Sequence, residues 1–257
     1  MLYALLLLNT KNNMLKQFEL KDKTIFITGA SSGIGRQIAL STSEAGAKVI
    51  ITGRDESRLM ETYHSLAGEN HIFHISDLSD ESQIASLIKD LPLLDGIVHA
   101  AGITSHFPAK FIGNKQLNET FTVNFNAPVL IMNQVLTRKL LNNSASIVFL
   151  SSIASKYPYF GGALYTASKL ALEGYCKTLA LELAVKKIRA NCLSPAMVQT
   201  SMLEKTEDTI SKESLDKMKS LHPLGFGTPE DVANAAIFLL SEASRWITGQ
   251  NIILGGY

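Results

Sequence analysis

The 257-residue sequence lacks an excess of either charge, has only two cysteines, and contains no apolar run long enough to cross a bilayer. Its 24 basic and 23 acidic side chains give a formal net charge of +1, which argues against a nucleic-acid or strongly acidic partner. Cys176 and Cys192 fall in a helical and a strand-like run, so we expect buried free thiols of a reducing compartment and no disulfide. These absences predict a cytoplasmic protein that binds neither membranes nor nucleic acid.

A metal site is also absent from the pattern. The six histidines do not have the spacing of a zinc site. His71 and His74 lie three apart in an expected strand and would face opposite sides of the sheet. We therefore predict no metal.

Residues 1–13 are expected to lie outside the folded core. Leu2 to Leu8 are apolar, but they are too few to span a bilayer, and the basic residues of a secretory signal do not precede them. This stretch is either a loose hydrophobic arm or the result of an upstream start codon with Met14 as the working start, and we favour the second. Residues 14–257 show no linker or repeat and are predicted to form one domain with a sizeable core.

Short apolar strands alternate with helical runs from Lys23 onward. Long helical runs are expected from about Lys115 to Leu141 and from Pro229 to Leu240. Alternating strands and helices of this kind predict an α/β fold, a doubly wound parallel sheet with helices on both faces. The predicted strands cover residues 24–28, 48–52, 72–75, 96–99, 147–150, 188–193 and 251–254.

Three glycines follow the first predicted strand. Gly29 permits a tight turn, Gly33 lets the backbone approach a pyrophosphate, and Gly35 lets the next helix pack on the strand. The helix that follows offers free N–H groups and the positive end of its dipole to phosphate. The spacing Gly-x-x-x-Gly-x-Gly differs from the usual fingerprint, and a glycine-rich turn without function is the alternative. The strand–loop–helix context favours a dinucleotide site.

Tyr165 and Lys169 are four residues apart in a helical run, so both side chains point from one helix face. We expect the Lys169 ammonium to lower the pKa of the Tyr165 phenol, so that it exchanges protons near neutral pH. Ser152 follows the strand at 147–150 and is placed to hold a substrate oxygen as charge builds on it. A surface tyrosine and lysine on an ordinary helix is the alternative, which the glycine loop upstream disfavours.

The run Thr28-Gly-Ala-Ser-Ser-Gly-Ile-Gly35, together with Ser152, Tyr165 and Lys169, resembles the short-chain dehydrogenase/reductases over residues 20–257. The resemblance implies a single-domain Rossmann-type fold and catalytic roles for the serine, the tyrosine and the lysine. It also implies a fourth catalytic residue, Asn124, whose amide could in addition bond nearby backbone in a helix kink. Asn126 is the neighbouring competitor for this role.

The resemblance further implies a nicotinamide cofactor. Asp77 and Leu78 would meet the adenine, although a helix-capping aspartate is the alternative for Asp77. His99-Ala100 stands where the family often has asparagines, and Ala196 where it usually has glycine. The implied cofactor-binding residues are Gly29, Ser31, Ser32, Gly33, Ile34, Gly35, Arg54, Asp77, Leu78, Ala101, Gly102, Asn124, Tyr165, Lys169, Pro195, Val198 and Thr200.

The choice of cofactor depends on the residues after the second predicted strand. An acid there would bind the ribose 2′-hydroxyl of NAD, but this chain has Thr52-Gly53-Arg54. Arg54 offers a forked cation suited to a 2′-phosphate. Asp55 is the counterargument, and it is better interpreted as the cap of the next helix. The sequence therefore favours NADP(H) over NAD(H).

The expected reaction is hydride transfer that reduces a carbonyl to a secondary alcohol, or the reverse. Ser152 and Tyr165 would bind the substrate oxygen while the tyrosine donates its proton. Lys169 would keep the tyrosine acidic and bond the nicotinamide ribose, as in the family. Asn124 would hold a water that connects Lys169 to solvent.

The substrate is less well defined by the sequence. The chain is similar to bacterial 3-oxoacyl-(acyl-carrier-protein) reductases of fatty acid biosynthesis, which makes a small-molecule or acyl-carrier-bound carbonyl the first expectation. A sugar, polyol or other secondary-alcohol dehydrogenase is the alternative. A non-catalytic NADP-binding sensor and a methyl-transferring protein are weaker ones. Residues 202–222 are expected to form a polar lid, and the family resemblance implies a homotetramer or dimer.

Overall fold

The computed structural model describes residues 16–201, 203 and 220–255. Residues 1–13, Met14 and most of the expected lid lie outside the described residues, so the predictions made for them stay predictions. The strands are β1 Thr24–Thr28, β2 Lys48–Gly53, β3 Ile72–Ile75, β4 Leu94–His99, β5 Leu141–Leu150, β6 Arg189–Pro195 and β7 Asn251–Leu254. The α-helices with full bounds are α1 Gly33–Glu44, α2 Glu56–His64, α3 Glu81–Lys89, α4 Asn114–Phe121, α5 Ala127–Thr137, α6 Ala163–Glu182 and α7 Pro229–Leu240. Short 3₁₀ turns cover Ala109–Phe111, Ile153–Ser155, Ala184–Lys186 and Glu242–Ser244.

The seven strands of the described residues form one sheet in the order β3-β2-β1-β4-β5-β6-β7, and every neighbouring pair is parallel. The chain runs outward from β1 to β3 and then resumes on the other side of β1 with β4. This reversal leaves a crevice beyond the carboxyl ends of β1 and β4, where doubly wound sheets bind their ligands. The predicted Rossmann-type fold is confirmed.

Alternating side chains of the central strands enter two separate cores. In β5, Phe149 packs on the face covered by α3, α5 and α6, whereas Val148 packs on the face covered by α1, α2 and α7. Both side chains have no exposed surface, because a parallel sheet is covered on both faces. The apolar strand runs of the sequence follow from this two-sided burial.

The long helix expected from about Lys115 to Leu141 is interrupted. A π-helical turn at Thr122–Asn126 separates α4 from α5, and the N–H of Ala127 donates to the carbonyl of Thr122 five residues back. Pro128 follows at once, and it has no N–H to continue an α-helical pattern across this turn. The expected helical region is therefore confirmed from Asn114 to Thr137, with a π-helical turn inside it, but it ends before Leu141, where β5 already begins.

Cys176 and Cys192 are both buried and free, as predicted. No helix in the described part of the chain is long and apolar enough to cross a bilayer. Within the same residues, no cluster of side chains has the composition of a metal site.

Candidate active site

The glycine loop joins β1 to α1 and packs tightly against the loop after β4. Gly29 has a φ of +69°, and a Cβ built on it would lie 2.7 Å from the Cα of Ala101. A Cβ on Gly35 would collide with the carbonyl oxygen of Gly29. Only glycine fits at these two positions, so the close approach of the two loops depends on them.

A hydroxyl at the end of β1 holds these loops together. Thr28 Oγ1 accepts hydrogen bonds from the backbone N–H groups of Ala100 at 3.1 Å and Ala101 at 3.2 Å. The loops after β1 and β4 are thereby fixed at the crevice of the sheet.

The amino terminus of α1 faces the same crevice with its backbone N–H groups free of a side-chain cap. Ser32 is the N-cap residue, but its side chain makes no capping hydrogen bond, and the first turn of α1 has no acidic residue. A helix end of this kind attracts a phosphate through its N–H groups and dipole. The residues present therefore fit a dinucleotide.

The crevice forms a groove of about 490 Å³. It is lined by twelve of the predicted cofactor-binding residues, namely Gly29, Ser31, Ser32, Gly33, Ile34, Gly35, Arg54, Asp77, Leu78, Ala101, Gly102 and Thr200. The predicted residues that do not line it are Asn124, Tyr165, Lys169, Pro195 and Val198. The other lining residues are Gly53, Arg58, Ser76, Ser79, Ala100, Ile103, Thr104, Val123 and Ser201. Most of these directly adjoin predicted residues. Arg58 does not, but it follows Arg54 by four residues, and this interval was the feature of the sequence that could have identified it.

Two aspartates at the far end of the groove are bound to their own neighbours. Asp55 caps α2 by accepting from the backbone N–H of Arg58 at 3.0 Å, as predicted. Asp77 accepts from the backbone N–H of Ser79 at 2.9 Å and from its hydroxyl at 2.7 Å. These bonds lower the pKa of both carboxyl groups. The cap of α3 is Asp80, so Asp77 is not the capping aspartate considered as its alternative.

The predicted serine, tyrosine and lysine come together beside the groove. Ser152 lies just beyond β5, where its Oγ accepts from the N–H of Ala154 at 3.2 Å, and it is near enough to Tyr165, on the first turns of α6, to lower the pKa of that phenol. Lys169 is 4% exposed, and its Nζ lies 5.6 Å from the centre of the Tyr165 ring. That Nζ donates to the carbonyl of Leu150 at 2.7 Å.

The pKa of Tyr165 differs from the expectation. Burial raises the pKa of the phenol, and the hydrogen bond from Ser152 only partly opposes that effect. Burial also lowers the pKa of Lys169, to about 8. The expectation that the ammonium lowers the tyrosine pKa is therefore wrong. Desolvation of the buried phenol is the largest effect on its pKa, and the ammonium donates its hydrogen bond to the carbonyl of Leu150.

Asn124 lies in the π-helical turn between α4 and α5. Its Oδ1 accepts from the N–H of Ile103 at 2.8 Å, and its Nδ2 donates to the carbonyl of Ile103 at 3.0 Å and to Ser168 Oγ at 3.1 Å. A Cβ built on Gly102 would lie 3.4 Å from both Asn124 Oδ1 and Lys169 Nζ, so these two side chains meet at one glycine. The competitor Asn126 is exposed.

His99, which replaces an expected asparagine, is buried at the end of β4. Its ring stacks on Phe149 with centroids 4.7 Å apart, and neither ring nitrogen has a partner among the described residues. Burial lowers its pKa to about 3, so the imidazole is neutral. The departure at this position replaces a hydrogen-bonding amide with a buried aromatic contact.

Comparisons with known proteins place related sequences over nearly the whole chain. A family described as Enoyl-(Acyl carrier protein) reductase matches residues 29–257. The 3-oxoacyl-(acyl-carrier-protein) reductase FabG of Rickettsia felis is 34% identical over 239 residues, which are 93% of this chain and 97% of that protein. The L-xylulose reductase of Caenorhabditis elegans is 33% identical over 246 residues, 93% of this chain and 96% of its own length.

A solved structure with a closely similar fold contains a cofactor. It is described as an NAD(P)-dependent gluconate 5-dehydrogenase from Beutenbergia cavernae with NADP bound at low occupancy. It is 30% identical, covers 92% of this chain and 96% of its own, and superposes with a TM-score of 0.83.

Proposed function

The chain belongs to the short-chain dehydrogenase/reductase family, whose members are oxidoreductases acting on CH–OH and C=O groups, and on this premise we propose that it interconverts a carbonyl and a secondary alcohol with NADP(H). The observation that carries the proposal is the grouping of Ser152, Tyr165 and Lys169 beside a groove suited to a dinucleotide. Glycines 29, 33 and 35 and the amino terminus of α1 would hold the cofactor's diphosphate.

Tyr165 is the proton donor in the direction of reduction. A raised pKa keeps the phenol protonated at neutral pH, so it holds the proton that a carbonyl oxygen needs as it becomes a hydroxyl. Ser152 lies beside the phenol and would donate to the same substrate oxygen, and Lys169 places positive charge beside the phenolate that forms. When bound, the nicotinamide supplies or accepts the hydride.

Asn124 has a narrower role than the sequence alone suggested. Both of its amide hydrogens are already donated, to Ile103 and Ser168, and its Oδ1 accepts from Ile103, so only one lone pair of that oxygen remains to accept from a water. Its main contribution is to hold the π-helical turn against the loop after β4.

The test of this proposal is Tyr165→Phe. We expect turnover to fall to background while binding of NADPH, followed by its fluorescence, stays close to that of the wild type. Tyr175→Phe is the matched control, because it removes a phenolic hydroxyl from the same helix where the ring packs against Phe125 and Phe149. Full activity of the Tyr165 variant would contradict the mechanism.

The substrate we propose is a 3-oxoacyl thioester, supported by the similarity to the Rickettsia reductase. A hydroxylated substrate such as a sugar or polyol is the second candidate. It is supported by the L-xylulose reductase similarity and by His106 and Tyr159, whose rings lie 5.1 Å apart on the loops after β4 and β5. Oxidation of NADPH and of NADH, measured in parallel on acetoacetyl thioesters, diketones and sugars, distinguishes both substrates and cofactors.

We also propose a homo-oligomer, a dimer or tetramer, in a reducing compartment such as the cytoplasm. The exposed apolar side chains of Leu170 and Leu181 on α6 support an association surface, and the two free thiols fit a reducing environment. Light scattering of the purified chain measures the assembly directly.

A further inference from the structure

A second arginine lies at the end of the groove where Arg54 is expected to bind a 2′-phosphate. Arg58 stands four residues later, on the first turn of α2, and both arginines line the groove together with Ser31. The hydroxyl of Ser31 lies 3.0 Å from where a Cβ of Gly53 would be, which places it at the end of β2, beside the residue that precedes Arg54. Two cations and a hydroxyl that line the same groove are an arrangement suited to an anion.

Asp55 is bound to Arg58 through both carboxylate oxygens. Oδ1 accepts from the backbone N–H of Arg58 at 3.0 Å, and Oδ2 accepts from its Nε at 2.8 Å. An acid near this position can select NAD by binding the ribose hydroxyls. Here the carboxylate is already engaged, so it does not present two free oxygens to the groove.

The same contact leaves the tip of the arginine available. The guanidinium has five N–H groups, and Asp55 takes only the one on Nε. The four on the terminal nitrogens make no hydrogen bond with any residue that the structure describes. The ion pair is solvent-exposed, with side chains 54% and 37% accessible, and such pairs contribute little to stability. What the ion pair determines is the orientation of the Arg58 guanidinium.

We propose that Arg58 is a second cationic contact for the 2′-phosphate of NADP(H), and that Asp55 is a positioning residue that orients it. This inference rests on the proposed use of NADP(H). It assigns to Asp55 a role opposite to the usual one for an acid near the ribose, since the carboxylate supports the phosphate site through its arginine.

Calorimetric titration of the full chain with 2′,5′-ADP and with 5′-AMP tests the inference without turnover. We expect Arg58→Gln to weaken 2′,5′-ADP binding roughly tenfold, the value of one charge-assisted contact, and to change 5′-AMP binding less than about twofold. Arg138→Gln is the matched control, because it removes the same charge from the exposed end of α5. Retained 5′-AMP binding shows that the Arg58 variant is folded.

Asp55→Asn separates positioning from a purely structural role. If Asp55 orients the fork, this variant loses a few-fold in 2′,5′-ADP binding, beyond any change for 5′-AMP. Equal weakening of both ligands would mean that Asp55 serves only as a helix cap and would overturn its role here. Stronger binding of 2′,5′-ADP would mean that the carboxylate repels the phosphate, with the same consequence.

Failure of the proposed cofactor and failure of the Arg58 contact give different binding results. If the wild type binds both ligands equally, the NADP(H) preference and the Arg58 contact are both wrong. If the wild type prefers 2′,5′-ADP and Arg54→Gln removes that preference while Arg58→Gln leaves it intact, the proposed cofactor stands and the Arg58 inference alone is overturned.

Discussion

Different physical effects shift the pKa values of the ionisable groups at the two ends of the groove. At the catalytic end Tyr165 and Lys169 are largely removed from water, and burial raises the pKa of the tyrosine and lowers that of the lysine to about 8. At the adenosine end Asp55 and Asp77 are bound to neighbouring N–H and hydroxyl groups, which lower the pKa of both carboxyl groups. Desolvation dominates at one end and local hydrogen bonding at the other.

This difference separates what spacing can predict from what it cannot. The partners of Asp55 and Asp77 lie within three residues of them, so their state follows from the local sequence. The burial of Lys169 depends on Leu150 and on Gly102, which are distant in sequence. A pKa set by burial is therefore a property of the fold.

The largest effect is expected for Lys169→Met, which replaces the buried ammonium with an apolar chain of similar length. Without the positive charge the Tyr165 phenolate is not stabilised, so we expect kcat to fall roughly 10²–10⁴-fold. Binding of 2′,5′-ADP, at the other end of the groove, should change less than about twofold. Lys177→Met, an exposed position on the same helix, is the control. An equal loss at both ends of the groove would contradict the separation.

Asn124→Leu tests whether the catalytic end depends on its buried hydrogen bonds. The variant leaves the N–H and carbonyl of Ile103 without their partner, and we expect the free energy of unfolding to fall by about 3 kcal/mol. Urea denaturation measures this, with Asn126→Leu on the exposed side of the same turn as the reference. Similar losses in both variants would show that the turn itself, and not the Ile103 contact, is what the substitution disturbs.

His99 predicts a pH dependence of stability. Its folded-state pKa of about 3 lies below the ordinary value of 6.5, so between these values the unfolded chain binds more protons. Stability from this group is present above about pH 6.5 and falls as the pH drops towards 3. Near pH 5 the loss is about 2 kcal/mol, at roughly 1.4 kcal/mol per pH unit. Urea midpoints for the wild type and His99→Leu measure it, and parallel pH curves for the two proteins would refute the assignment.

The smallest effect concerns salt and the adenosine end. Exposed charges are screened, since the Debye length falls from about 10 Å at 0.1 M to about 3 Å at 1 M ionic strength. The proposed preference for NADPH over NADH in binding should therefore shrink by a few-fold over this range, whereas kcat at saturating cofactor should change less. A preference that is independent of salt would mean that the phosphate site is more enclosed than the groove indicates.

Most of the fold was predictable because the strands are buried on both faces. Of the seven predicted strands, β1, β3 and β7 have the bounds that the structure gives, and the predicted helix Pro229–Leu240 matches α7. The π-helical turn was not predictable from the periodicity, because α4 and α5 keep a helical pattern on both sides of it. Pro128 was the available signal.

The catalytic set was named from the family resemblance, and the structure brings its members together at Gly102 and Tyr165. The pKa shifts of Tyr165 and Lys169 could not be predicted in the same way. The sequence shows that an amine lies near a phenol, but it does not show that the amine bonds the carbonyl of Leu150. Arg58 was missed for a related reason, since its importance lies in the contact with Asp55 and not in its position alone.

The hydroxyl of Thr28 has one further consequence. By accepting both amides of Ala100 and Ala101, it makes the floor of the groove a single stiff unit, shared by the diphosphate loop and by the segment that leads to the catalytic corner. Removal of this single oxygen would therefore leave two amides without their acceptor and uncouple the glycine loop from the segment after β4.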